Sequence, residues 1–210
     1  MGCTIAGVGD QAVRAATGKG WADWFVILDA AGGTEIDHRD RVAMLADAGL
    51  DQGWWQQKVA VGYEHERGLR EAGETGDAGY EIGVQRTVGV PRMLVWAQLV
   101  STAGLDTWLG PDVEVAIEPG ATFTAADDTA GEIRTVAPGE RIRVRWQPPD
   151  RNQPTTVQIT LTPSPAADDR TAVRIHQEGL ADGDERERMR THWKAVLEEL
   201  EALLANDSTP

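Results

Sequence analysis

Cysteine is almost absent from this chain of 210 residues: Cys3 stands alone. No internal disulfide can form, so the stapled framework of small secreted scaffolds is excluded and a reducing, cytoplasmic setting is expected. Basic residues are also scarce, with 20 Lys and Arg against 34 Asp and Glu, a net charge of −14 and a pI near 4.6. That sign repels phosphate backbones and anionic bilayers, so neither nucleic acid nor membrane is an expected partner. No apolar stretch reaches the roughly 18 residues of a membrane-spanning helix. The start Met1-Gly2-Cys3-Thr4-Ile5-Ala6 lacks the basic and apolar regions of a signal peptide, and Ala6 stands where myristoylation wants Ser or Thr. Phe and Tyr number two each, yet there are eight Trp. Each indole brings a large apolar area and one N–H that needs an acceptor when buried. Hydrophobic residues at 41% and charged residues at 26% make an ordinary globular balance and exclude a disordered chain.

Residues 1–16 mix small and polar side chains without a sustained period and read as a flexible lead-in. Trp21, Trp24, Phe25 and Leu28 then fall at i, i+3, i+4 and i+7, the face of a first helix that ends at Ala30-Ala31-Gly32-Gly33. A second helix starts after Asp37, with Asp40 in its first turn, and carries Val42, Leu45 and Ala46 up to Gly49. A third is expected from Gln52 to Arg70, with Trp54, Trp55, Val59, Tyr63 and Leu69 as its apolar contacts. Three helices over residues 17–72 make a small bundle with an indole-rich core. The stretch EAGETGDAG from Glu71 to Gly79 has linker composition, so 73–79 is placed as the boundary. Both halves are acidic: residues 1–76 hold 7 basic and 12 acidic groups, and residues 77–210 hold 13 and 22.

Beyond the boundary the period becomes two. Ile82, Val84 and Val88 make a strand, and Pro91 opens a short helix through Met93-Leu94-Val95-Trp96. A break at Thr107-Trp108-Leu109-Gly110-Pro111 leads to Val113, Val115 and Ile117, again at period two and read as a strand. Phe123 and Glu132 to Val136 add shorter strands. Three longer runs follow, in which Ile142, Val144 and Trp146, then Val157, Ile159 and Leu161, then Val173 and Ile175 alternate with polar neighbours. Each has one dry and one wet face, the mark of an antiparallel sheet with a single buried side. Asp184 with Glu187 resembles a capping box, and Met189, Trp193, Val196, Leu197, Leu200, Leu203 and Leu204 hold one face of a final helix. The dry side of the sheet is its natural partner. The expected fold is therefore α+β, a three-helix bundle followed by a curved antiparallel sheet wrapped around a long C-terminal helix, with 206–210 as a tail.

Strand, Pro91-led helix with Trp96, the Trp108-Leu109-Gly110 turn, a run of antiparallel strands, and a last helix beginning Glu187-Arg188-Met189-Arg190-Thr191-His192-Trp193: this order resembles the START-like superfamily, also called SRPBCC or Bet v 1-like. Within it the segment 80–205 is similar to the activator-of-heat-shock-ATPase homologues. The segment Gly18-Lys19-Gly20-Trp21-Ala22-Asp23-Trp24, with Gly53-Trp54-Trp55 and Tyr63-Glu64, resembles a small bacterial helical domain of unknown function found alone or fused to such a domain. The resemblance implies a helix-grip fold with a space between helix and sheet that in many relatives holds an apolar ligand. Strand parity and helix phase then place Val144, Trp146, Ile159, Ile175, Met189 and Trp193 along that space, with Trp108 at a sheet end.

Other motifs carry less. Gly7-Val8-Gly9-Asp10-Gln11-Ala12 matches the dinucleotide pattern G-x-G-x-x-A, but no βαβ unit follows. Val13 replaces the first glycine of a phosphate loop ending at Gly18-Lys19. His38, His65, His176 and His192 lie on separate elements without metal-ligand spacing, and His192, beside Trp193, reads as a surface histidine. Ser101, Ser164 and Ser208 sit in no nucleophile motif, and Cys3 has no positioned base. Arg141, Arg143 and Arg145, with Arg174 across the sheet, read as a solvated outer face. No catalytic group, metal site or cofactor is assigned. The leading expectation is a non-enzymatic protein that binds a small apolar or amphipathic molecule, with the bundle serving a protein partner or self-association. A co-chaperone-like or regulatory interaction module with a filled core is the alternative, and a cyclase- or dehydratase-like enzyme the third.

Overall fold

The computed structural model describes residues 4–70, 74–75, 79–164 and 167–207. The chain divides into two compact units, residues 1–72 and 73–210. Most of the linker stretch and the end of the tail lie outside the described residues.

In the first unit Thr4–Ile5 (β1) and Val8–Gly9 (β2) form an antiparallel hairpin. Its turn residues Ala6 and Gly7 both have positive φ, 48° and 77°, the backbone that a two-residue hairpin demands. The G-x-G-x-x-A stretch is therefore a turn followed, at Gly9, by the N-cap of α1 (Asp10–Thr17). Residues 4–16 of the stretch 1–16 expected as a lead-in thus belong to ordered elements, and among the described residues the bundle has four helices instead of three. The sequence shows no period there because one fully buried side chain, Val13, anchors so short a helix. Asp10 also accepts the backbone N–H of Trp21 at 2.8 Å, which ties α1 to the start of α2 (Trp21–Ala30). Trp21, Trp24, Phe25 and Leu28 are all buried, as their spacing requires. In α3 (His38–Asp47) the N-cap Asp37 accepts from the backbone N–H of Asp40. The fourth helix, α4 (Gly53–Glu66), is shorter than expected and turns Trp54 outward, where it is 60% exposed, while Val59 and Tyr63 are buried.

The second unit holds one six-stranded antiparallel sheet of order β3-β8-β7-β6-β5-β4. Its strands are β3 (Tyr80–Val88), β4 (Thr122–Thr124), β5 (Ala130–Ala137), β6 (Arg141–Gln147), β7 (Thr155–Ser164) and β8 (Ala167–Leu180). Between β3 and β4 run α5 (Arg92–Leu99) and α6 (Thr102–Trp108), and α7 (Gly183–Asp207) closes the unit. The inward side chains line up in rows across the strands, Ile142, Ile159, Ile175 and Val84 in one, and Ile133, Val144, Val157, Gln177 and Ile82 in the next. Against them α7 buries Trp193, Val196, Leu197, Leu200 and Leu204. The cap of α7 lies two residues before the expected Asp184 to Glu187 pair: Asp182 accepts the backbone N–H of Glu185, and Glu185 accepts that of Ala181. At the edge strand β3, Arg86 reaches Glu201 at 2.6 Å and holds sheet and helix together from outside the core.

Two segments depart from the sequence reading. Helix α6 is an addition. Ser101 caps it, and Gly104 sits where any Cβ would collide with the carbonyl oxygen of Gln98, so a poor helix former is required by the close approach of two helices. Val113, Val115 and Ile117 form no strand. Their alternation buries Val113 against the core, but the sheet edge beside β5 is occupied by β4, and an extended segment without a partner strand is not a ladder.

Back in the first unit, a buried carboxylate holds three helix ends together. Glu64 of α4 lies 2.8 Å from Arg41 Nη1, 2.7 Å from His38 Nδ1 and 2.6 Å from Arg70 Nε, and Arg41 also donates to the carbonyl of Gly33. Arg41 and Glu64 are both nearly inaccessible to water, so each depends on the other for compensation. Glu64→Gln keeps the shape and removes the charge, and is expected to destabilise this unit by about 3–5 kcal/mol. Hydrogen exchange on the full chain checks it: amide protection should fall across residues 21–66 and stay unchanged across 130–204.

Candidate functional site

The inner face of the sheet carries three buried polar side chains, Thr155, Thr171 and Gln177; Thr171 donates to the carbonyl of Val90, and the other two belong to one hydrogen-bond chain. Trp193 of α7 directs its indole N–H at the side-chain oxygen of Gln177 on β8, 2.6 Å away. The Gln177 amide donates to Thr155 Oγ1 on β7 at 3.0 Å, and that hydroxyl donates to the carbonyl of Trp146 on β6 at 2.9 Å. All four residues are buried. An indole N–H can only donate, so a tryptophan facing an apolar sheet needs an acceptor built into that sheet. The parity that puts Val173 and Ile175 inward also puts Gln177 inward, and a polar residue on the dry face is the sequence signal for this chain.

Around it the residues expected along the helix–sheet space come together. Val144, Trp146, Ile159, Ile175 and Trp193 are buried members of one core, Trp108 closes its α6 side, and Met189 packs against it half-buried. Trp108 donates its N–H to the carbonyl of Leu99 at 3.0 Å, which pins the end of α6 to the end of α5. Trp146 lies with its ring centroid 5.5 Å from that of Trp193 and points its N–H toward the carbonyl of Leu109 at 3.4 Å. Gly131 stands opposite Trp146 across β5 and β6, where a Cβ would strike the Phe123 ring and the Arg145 carbonyl, so glycine lets the aromatic residues close.

His192, expected at the surface, is half-buried, with its ring turned against the aromatic cluster. Its ring stacks on Trp146 at 5.8 Å with 26° between planes and meets Trp193 edge-on at 4.7 Å. Its Nε2 is buried and has no hydrogen-bond partner among the described residues. Burial pushes the imidazole below its ordinary value near 6.5, because an imidazolium there would lose its hydration. Helix phase hid this: position 192 lies beside the central stripe, and Trp146 reaches it from the sheet.

On the outer face, Arg143 pairs with Glu178 at 3.1 Å and Arg174 donates to the side-chain oxygen of Gln85. These contacts fit the solvated face expected from the arginine run. In the first unit, an open groove of about 520 Å³ is lined by Trp21, Phe25 and Val26 together with the charged groups of Asp10, Arg14, Asp29 and Arg67. Arg67 and Tyr63 both donate to Asp29, and these hydrogen bonds hold its carboxyl below the usual carboxylate value. Among the described residues no group of three His, Cys, Asp or Glu side chains converges to hold a metal ion, and no helix is long and apolar enough to cross a membrane.

Two outcomes test this geometry. Trp193→Phe leaves the Gln177 oxygen buried without a donor and should cost about 1–3 kcal/mol, part of which Gln177→Leu in the same chain restores, as read by urea denaturation. The second concerns pH. A histidine whose folded pKa is depressed contributes stability above its unfolded value near 6.5, and that contribution is lost as pH falls through the folded value. His192→Phe should therefore lose less stability than the parent between pH 7.5 and 5.5; equal losses in thermal melts would refute the burial of the neutral ring.

No match was found among the curated proteins. Among solved structures, CalU16 from Micromonospora echinospora superposes with a TM-score of 0.52 at 16% identity, over 62% of this chain and 81% of that one. An HSP90 activator from Plasmodium falciparum gives 0.52 at 19% identity, over 60% and 97%. The Aha1 dimer from Colwellia psychrerythraea gives 0.51 at 16%, over 59% and 95%. At such identities the likeness is one of fold, the helix-grip arrangement of β3 to α7. The family model for activator of Hsp90 ATPase homolog 1-like proteins matches residues 89–205, more than half of the sequence, and the chain belongs to that family.

Proposed function

We propose that this chain is a non-enzymatic binding protein whose helix-grip domain takes a small apolar or amphipathic molecule between α7 and the sheet. The observation that carries the reading is the aromatic cluster of Trp146, His192 and Trp193, where apolar walls meet one buried nitrogen without a partner. A site of that composition binds by burial, at about 25 cal/mol per Å² removed from water, and needs no reacting group. A cyclase- or dehydratase-like reaction needs a facing acid and base, and the polar side chains at this cluster, Thr155, Gln177 and His192, include a single titratable one. The half-buried Met189, three residues before His192 on the same helix, is the flexible side chain that gives way.

A second reading has its own support. The hydrogen-bond chain from Trp193 to Trp146 closes the interior, while Met93 and Leu94 on α5 are 57% and 58% exposed side by side. An interaction surface there would suit a protein partner, and the family description together with the Plasmodium falciparum relative makes an Hsp90-type ATPase the partner to try first. In the first unit Val26, which lines the groove, is 67% exposed, a surface proposed for self-association.

Native mass spectrometry of the purified chain with lipid and metabolite extracts separates the readings. Ligand-sized adducts that disappear in Trp146→Ala support the first. Absence of any adduct, with stimulation of a purified Hsp90-type ATPase that Met93→Glu with Leu94→Glu abolishes, supports the second and overturns the first.

A further inference from the structure

A buried polar atom without a partner is rare in folded proteins, and leaving one unpaired costs about 1–3 kcal/mol. His192 Nε2 is such an atom, and it is enclosed on two sides by the indoles of Trp146 and Trp193. The neighbouring polar groups are already committed: the N–H of Trp193 to Gln177, the Gln177 amide to Thr155, the Thr155 hydroxyl to the Trp146 carbonyl, and the N–H of Trp146 to Leu109. Among the described residues no neighbouring group is left to satisfy Nε2, so a partner from outside the chain fits it.

We infer that His192 is the specificity-determining anchor of the helix-grip site, and that it selects an uncharged apolar ligand presenting one hydroxyl to Nε2. The inference rests on the ligand-binding reading above and narrows its ligand class. A hydroxyl fits because it both donates and accepts, and so pairs with either tautomer of a neutral imidazole. A carboxylate does not fit. Its charge would enter a wall of two indoles with no counter-charge among the described contacts, and the cost of burying it exceeds what one hydrogen bond returns. The indole faces favour a flat ring beside the hydroxyl, by offset or edge contacts. Met189, unbranched and half-buried one turn away, supplies the room when it changes rotamer.

The test uses two probes of one shape, 2-naphthol and 2-methylnaphthalene, titrated into the full chain and followed by calorimetry and tryptophan fluorescence. The parent should bind the naphthol about tenfold more tightly, the worth of one hydrogen bond in a dry site. His192→Phe keeps the stack and should bind both equally, whereas His192→Gln, which still hydrogen-bonds, should retain a preference. Nitrogen NMR of the histidine ring in the parent provides a readout free of any folding defect, since the Nε2 signal should move with naphthol and not with methylnaphthalene. Equal binding of both probes to the parent, or a preference that survives in His192→Phe, overturns the anchor while leaving the ligand site standing. Failure of both probes to bind overturns the anchor together with the ligand site itself.

Discussion

The indole N–H of Trp193 is the constraint on which the second unit depends. A tryptophan at the centre of the stripe of α7 gives the helix its largest apolar contact with the sheet, but it carries a donor that cannot stay unpaired in that contact. Gln177 meets it from β8, and Gln177 in turn is held by Thr155 on β7, which is held by the Trp146 backbone on β6. One donor on the helix thereby fixes its position against three strands. Apolar rows alone would tolerate sliding, since one isoleucine or valine is much like the next. The polar chain does not tolerate it, because a shift of one turn would strand several buried groups at once.

Superposition with relatives of 16–19% identity shares the sheet and the long helix. In this chain Trp146, His192 and Trp193 bring two indoles and one imidazole together between the long helix and the sheet. A neutral histidine in that place couples the interior to pH without a charge partner, through hydration alone.

The first unit solves a different problem with the opposite means. Its helices are short, and helices of ten residues have little stability outside a tertiary setting. Two devices hold them: indoles and Tyr63 in the core, and the Glu64 carboxylate joining α3 and α4 through Arg41 and His38. Tyr63 extends the same logic, with its ring in the core and its hydroxyl donated to Asp29, where burial and that carboxylate push the phenol above its ordinary value.

What the sequence determined by itself is what periodicity encodes. The rows of the sheet follow from the alternation of Ile142 with Arg143 and of Ile175 with His176, because in a strand parity decides the face. The stripe of α7 and the face of α2 follow from spacing in the same way, and the family was readable from the order of these elements. What only the tertiary structure decided is where a residue's neighbour in space is far away in the chain. Trp54 turned outward because α4 packs through Val59 and Tyr63, and Val113 to Ile117 stayed out of the sheet because β4 holds its edge. Gly104 entered a helix because another backbone lies against it. His192 went inward because Trp146, which lies 46 positions earlier, reaches over it. Local pattern fixes the face a side chain presents; the partner across the core decides what that face meets.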